Sequence, residues 1–206
     1  MLDAFSIARM HDTANQEWHR SRSPQEESLQ TLDQILRAQH HANFALWHEE
    51  DKARDPQATD QQIATVKRSI DRWNQRRNDL MERIDTALLD YFHAALSEHP
   101  SSLLHSETPG MMIDRLSILS LKIFHTEEET ERMTATEEHR QRNRERLRLL
   151  QEQRNDLTHA LDALFEDIIQ GRKRFKLYRQ MKMYNDPDLN PAIYGQRSGH
   201  PPPESK

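Results

Sequence analysis

Two arginines, Arg77 and Arg154, stand where apolar residues belong. Seven positions either side of Arg77 are Ile70 and Ile84, and either side of Arg154 are Leu147 and Leu161. Both guanidinium groups therefore fall on heptad-spaced apolar stripes. A guanidinium keeps its charge at any accessible pH, so one held on such a stripe needs a carboxylate or a bound anion. Histidines with acidic neighbours form the second chemical set. His48 with Glu50 and Asp51, and His125 with Glu127 and Glu128, place candidate metal ligands on one helix face through the spacings His48-x-x-Asp51 and His125-x-x-Glu128.

Both sets repeat at one interval. A displacement of 77 residues lays Arg77-Asn78-Asp79-Leu80 on Arg154-Asn155-Asp156-Leu157 without a gap. It also lays His48 on His125, Glu50 on Glu127, Asp85 on Asp162, Asp90 on Asp167 and Thr59 on Thr136. Because 77 is a multiple of seven, any two heptad-patterned helices would match their apolar positions at this displacement. Only the polar identities count, and they point to an internal duplication.

The elements that must position these residues are helices. Hydrophobic residues make up 34% of the 206, and Val66 is the only valine. A thin apolar stripe shared among long helices tolerates this composition; a sheet covered on both faces does not. The expected fold is all-α: an antiparallel bundle of four long helices over residues 23–171, formed by two similar hairpins. Ser23-Pro24-Gln25-Glu26 reads as the cap of the first helix, with Leu29, Leu32, Leu36 and Leu46 inward and Pro56 in the turn. Thr59 opens the second, which carries Ile63, Val66, Ile70, Trp73, Leu80, Ile84 and Tyr91 and ends near His99-Pro100. Thr108-Pro109 opens the third and the turn before Thr136 precedes the fourth, which Gly171 closes or kinks. Residues 1–22 are expected to be loose or to hold a short helix, residues 172–194 to form a basic helix and loop, and residues 195–206 to be disordered.

At ~1.5 Å rise per residue, His48 lies about 13 Å from its turn and Arg77 about 30 Å, and the second hairpin repeats both heights. Two polar layers follow. One contains Arg77, Asn78, Arg154 and Asn155, level with Asp114 and Arg115 on the third helix. It reads either as buried Arg–Asp pairs that set helix register, with Asp114 the first partner, or as a site for a phosphorylated or other small anionic ligand. The other contains His48, Glu50, Asp51, His125, Glu127 and Glu128 and offers a place for a divalent metal. The duplicated Glu-x-x-His pattern of carboxylate-bridged bundles is absent. His11, His19, His40 and His41 lack paired spacing and are expected on the surface. Glu127-Glu128-Glu129 with Glu131 is similar to the Glu-x-x-Glu of magnesium-dependent, all-α nucleotide pyrophosphatases, without the second half of that signature. The basic stretch from Arg172 to Lys182 reads as a solvated helix end.

The absence of cysteine excludes disulfides, zinc–thiolate sites and thiol catalysis. Four glycines leave no room for a phosphate-cradling loop or a dinucleotide fingerprint. No apolar run reaches the ~18–20 residues of a membrane span, and the first 22 residues lack the apolar core of a signal peptide, so a cytoplasmic protein is expected. A pI near 6.2 argues against nucleic acid as the partner. The small core per helix makes a homodimer plausible.

Several of these residues fall in longer motifs. Leu46-Trp47-His48 with Glu50-Asp51 and Ala53-Arg54, then Ile70-Asp71 and Asn74-Gln75 leading to Arg77-Asn78-Asp79, resemble a bacterial family catalogued as domain of unknown function 4254. Glu107-Thr108-Pro109-Gly110, Ile113-Asp114-Arg115-Leu116-Ser117, Lys122-Ile123-x-His125 and Lys182-Met183-Tyr184-Asn185-Asp186 are similar to it in the same order. The resemblance implies no particular activity. It does imply that the residues singled out by duplication and burial belong to a family motif rich in Asn, Asp, Arg and His, which favours a polar ligand site over a purely structural bundle. A non-enzymatic interaction protein, with the polar layers setting register, is the alternative.

Overall fold

The structure, a computed structural model, describes residues 2–20, 29–181 and 188–191. Its described part is mainly helical, with two short strands. In chain order the elements are α1 (Ala4–Arg20), α2 (Leu32–Lys52), α3 (Asp60–Tyr91), α4 (His93–Glu98), β1 (Leu103–Leu104), α5 (Pro109–Glu131), α6 (Glu137–Ile169) and β2 (Lys173–Arg174).

Threonine sets four helix starts. Thr59 and Thr31 each form a reciprocal capping box, with Gln62 and Gln34, while the Thr108 and Thr136 hydroxyls accept from the amides of Met111 and His139. An oxygen there satisfies an amide that the helix cannot pair, and Pro109 fits the first turn because its missing N–H would be unpaired anyway. Gly171, at φ 69°, closes α6 in the left-handed region that a side chain disfavours. The chain then turns so that β2 pairs in parallel with β1.

α5 is the central helix, packing against α1, α2, α3 and α6. Its least polar turns explain this: Ile113 and Leu116 are fully buried, facing Leu80, Ile84 and Leu88 of α3 and Leu161, Leu164 and Ile168 of α6 within the main core. A second, smaller apolar cluster joins Ala14 and Trp18 of α1 to Phe44 and Leu121. Gly110 allows α5 to approach α3 closely. A Cβ there would lie 2.8 Å from the Met81 carbonyl oxygen and 2.7 Å from Asp85 Oδ1, and the Gly110 amide donates to that same oxygen at 2.7 Å. Burial pushes the Asp85 carboxyl up to about 6, against the Thr108 and Gly110 hydrogen bonds that favour the anion.

Several expectations are corrected. The first long helix begins after Thr31, because Thr31 and Gln34 supply the reciprocal cap; the Ser23-Pro24-Gln25-Glu26 signal lies outside the described residues. The N-terminal segment is a full helix of 17 residues that buries Ile7, His11, Asn15 and Trp18. The second long helix stops at Tyr91, and α4 follows as a separate short turn after Phe92. Tyr91 is 56% exposed, since the break in the helix turns it outward. Residues 172–181 are not helical: Lys173 and Arg174 are a strand and Phe175 is buried against the core, so the apolar residue governs this segment and the basic ones ride on it. Residues 182–187 and 192–206, which complete the proposed basic loop and tail, lie outside the described residues. No helix among the described residues is long and apolar enough to cross a membrane.

Candidate functional site

Arg77 projects from α3 onto α5. Its Nε donates to Asp114 Oδ1 at 2.7 Å and its Nη2 to Asp114 Oδ2, a side-on fork that fixes the guanidinium plane. Asp114, almost fully buried, is held in turn by Gln39 Nε2 at 2.6 Å and Asn43 Nδ2 at 3.0 Å from α2. The fork raises the Arg77 pKa further, the hydrogen bonds to Asp114 outweighing the cost of burial.

From this hub a chain of hydrogen bonds runs through the interior, and its direction is fixed by chemistry. Asn43 donates to Ser117 Oγ at 2.9 Å, leaving the Ser117 hydroxyl to donate to His40 Nδ1 at 2.8 Å. His40 Nε2 faces two acceptors, Asn15 Oδ1 at 2.9 Å and the His11 carbonyl at 3.1 Å, so it carries the proton. Asn15 then donates to Ser120, and Ser120 to Asp12 Oδ1. Asp12 receives Arg154 Nη1 on both carboxylate oxygens, each at 2.8 Å. Burial drives the His40 pKa well down and that of His11 to about 3, so both rings are neutral. These two histidines, expected on the surface, are fully buried. His41 is half-buried and ring-packed against Trp18 and Trp73.

The two arginines thus reach different clefts on either side of this chain. Arg77 lines one of about 350 Å³ with Trp47, Glu50, Asp51, Arg54 and Asn74. Arg154 lines a smaller one of about 160 Å³ with Asp12, Ser120 and Glu127. Asn78 is half-buried on α3, Asn155 is exposed, and exposed Arg115 pairs with Glu107 at 2.5 Å. Glu50 is taken by Arg54 at 2.6 Å, and Asp51 stands exposed on the cleft rim. Glu127 is drawn upward in pKa by burial and by Asp12. Glu128 bonds His125 Nδ1, and Glu129 bonds His139 and Arg132. Glu128 and Glu129 are thus committed to different partners.

His48 and His125 do come together, with ring centroids 5.8 Å apart, and His19 of α1 joins them at 5.3 and 5.1 Å. Burial lowers the His125 pKa, which Glu128 partly offsets. Trp47 connects the two regions: it lines the Arg77 cleft and stacks on His125 at 4.8 Å with planes 9° apart. Asp12 and Asn15 escape sequence reasoning, and His19, expected on the surface, instead packs on Phe124 with its Nε2 buried, because α1 has no counterpart in the displaced repeat. The only local signal is their spacing, His11, Asn15, Trp18 and His19, which puts them on one helical face.

Fold and site together define an all-helical protein with a continuous buried polar network, flanked by a small cleft on each side. The chain belongs to the family described as Protein of unknown function (DUF4254), whose model matches residues 33–177. No curated protein and no solved structure matches it. The matched stretch includes Arg77, Asp114, Arg154, His48 and His125 but begins after α1.

Proposed function

We infer that this chain binds a small anionic molecule, carrying a carboxylate or phosphate, in the cleft over Arg77. The observation that carries the reading is the state of that guanidinium. Asp114 holds it by Nε and Nη2 and is itself anchored by Gln39 and Asn43, so Nη1 is left without a partner among the described residues and its direction is fixed in advance. Pre-organised donors bind with little loss of side-chain entropy. Asn74, one turn before Arg77, also has no side-chain partner among the described residues, and Trp47 supplies a flat wall. The cleft's acids do not forbid an anion: Glu50 is spent on Arg54 and Asp114 on Arg77, and Asp51 is exposed at the rim.

The same reading takes the hairpins α2–α3 and α5–α6 as duplicated halves of an antiparallel four-helix bundle in a cytoplasmic protein that forms a homodimer and binds no nucleic acid. Residues 77 apart do touch across the two halves, His40 with Ser117 and His48 with His125. A second reading is favoured by one contact. Arg154 gives Nη1 to both carboxylate oxygens of Asp12, which suits a register-setting pair that docks α1.

Binding of a panel of small carboxylates and phosphate monoesters, followed by Trp fluorescence and calorimetry, tests the cleft. A hit should weaken at least about tenfold in both Arg77→Lys, which loses the fork, and Asn74→Leu. No hit, or a hit indifferent to both substitutions, overturns the reading.

A further inference from the structure

Three imidazoles from three helices face one another where α1 ends: His19 of α1, His48 of α2 and His125 of α5. Each offers one ring nitrogen, and the three nitrogens lie within 4.8 Å of one another. What the other nitrogens do fixes the tautomers. His19 Nδ1 meets the Asn15 carbonyl at 2.7 Å, and His48 Nδ1 meets the Phe44 carbonyl at 2.9 Å. A carbonyl only accepts, so both Nδ1 atoms carry the proton. His125 Nδ1 meets the Glu128 carboxylate at 2.8 Å with the same consequence. Three Nε2 atoms remain, and in the neutral rings each is a lone pair with no hydrogen. Those of His19 and His125 are buried without a hydrogen-bond partner among the described residues.

A cluster of inward lone pairs with no donor among them is unfavourable by itself and is relieved by a cation. A histidine that binds a metal through one nitrogen and gives its other N–H to a carbonyl or carboxylate is the usual second-sphere arrangement, and here all three rings have it. The rings are also held in place by aromatic neighbours. Phe124 stacks on His19 at 4.2 Å, Trp47 on His125 at 4.8 Å, and Phe44 packs on His48 at 4.4 Å.

We propose that His19, His48 and His125 form a metal site that takes one late first-row divalent cation, with zinc the best match, through three Nε2 donors. Zn–N bonds of ~2.0–2.1 Å in tetrahedral geometry need nitrogens roughly 3.4 Å apart, so small ring movements close the site. Three neutral nitrogens and no thiolate suit zinc, nickel or copper rather than magnesium or calcium. Glu128 is committed to His125, and the acids beside the histidines in sequence point elsewhere: Glu50 to Arg54, and Glu127 to the Arg154 cleft. The fourth position is therefore open to water or a ligand, the pattern of zinc sites that do chemistry. His19 comes from outside the family match, so α1 completes a centre whose other two ligands sit in the family motif. The site is independent of the anion reading, although Trp47 separates the two by a single ring.

The test is calorimetric titration of the chelator-treated full chain with zinc, with the visible d–d spectrum of the cobalt(II) form as the geometric readout. One metal per chain and an intense tetrahedral-type cobalt spectrum are expected. His19→Gln, His48→Gln and His125→Gln should each weaken binding about a hundredfold or more, and Glu128→Gln, which keeps all three ligands, by about 10–100-fold. His139→Ala, which removes a histidine outside the cluster, should change nothing. Should His125→Gln fail to fold, the His19→Gln and Glu128→Gln arms decide. Absence of stoichiometric binding, a pale octahedral spectrum, or affinity unchanged by His19→Gln and Glu128→Gln overturns the proposal.

Discussion

Replacing Asp114 by alanine isolates the hub of the polar interior. The carboxylate is 4% exposed and accepts four hydrogen bonds, two from Arg77 and one each from Gln39 and Asn43. Asn43 keeps Ser117 as a partner, but the Gln39 amide loses its acceptor and the Arg77 charge loses its counter-ion. Breaking a buried pair by removing one partner costs about 3–5 kcal/mol. The Arg77 side chain is 27% exposed, so water takes up part of its charge and the lower end, about 3 kcal/mol, is expected. For a chain of this size that lowers Tm by about 6–12 °C. Urea unfolding followed by circular dichroism measures the loss directly. A double-mutant cycle with Arg77→Leu should show a coupling of at least about 1.5 kcal/mol, because once the guanidinium is gone its carboxylate is no longer needed. A loss under about 1 kcal/mol for Asp114→Ala, or simple additivity with Arg77→Leu, would refute the view that this pair is a buried, mutually dependent unit.

Two further outcomes follow from the α3–α5 contact. Gly110→Ala forces a methyl against the Met81 carbonyl, which is backbone and cannot swing away, so a loss of about 1–3 kcal/mol is expected; an unchanged Tm would mean that α5 shifts freely. Asp85 has its pKa raised from 3.8 to about 6 in the folded chain. The unfolded chain therefore ionises first as pH rises, and stability present below pH about 4 is lost through pH about 6, by roughly 3 kcal/mol. Asp85→Asn should remove that part of the slope, read as the difference between the two proteins' stability–pH curves from pH 4 to 7. Parallel curves would show that Asp85 is not the titrating group.

The resemblance carried by Leu46-Trp47-His48, Asn74-Gln75 and Ile113-Asp114-Arg115 points to the family from sequence alone, and the match over residues 33–177 agrees. Helix starts at Thr59, Thr108 and Thr136 are legible for a local reason: each cap is closed by an amide three residues on, so the whole interaction lies within one turn of sequence. The same holds for the end at Gly171. That Arg77 must meet a carboxylate or a bound anion was also legible in the sequence, since its position on an apolar stripe fixes the need for a counter-ion.

Periodicity gives the face a residue occupies but not the partner that face meets. Arg154 and Asp12 are 142 residues apart, and nothing in the pattern around either one selects the other. Only the docking of α1 on α5 and α6 decides it. His11 and His40 read as surface because neutral histidine is indifferent to burial until its hydrogen bonds are known, and those of His40 come from Ser117 and Asn15 on two other helices. The trihistidine cluster shows the same division. The 77-residue displacement pairs His48 with His125, but the third ring arrives on a helix outside the repeat. Local chemistry determined the helices and the need for counter-ions; the choice of partners belongs to tertiary packing, because it depends on distances that sequence spacing does not encode.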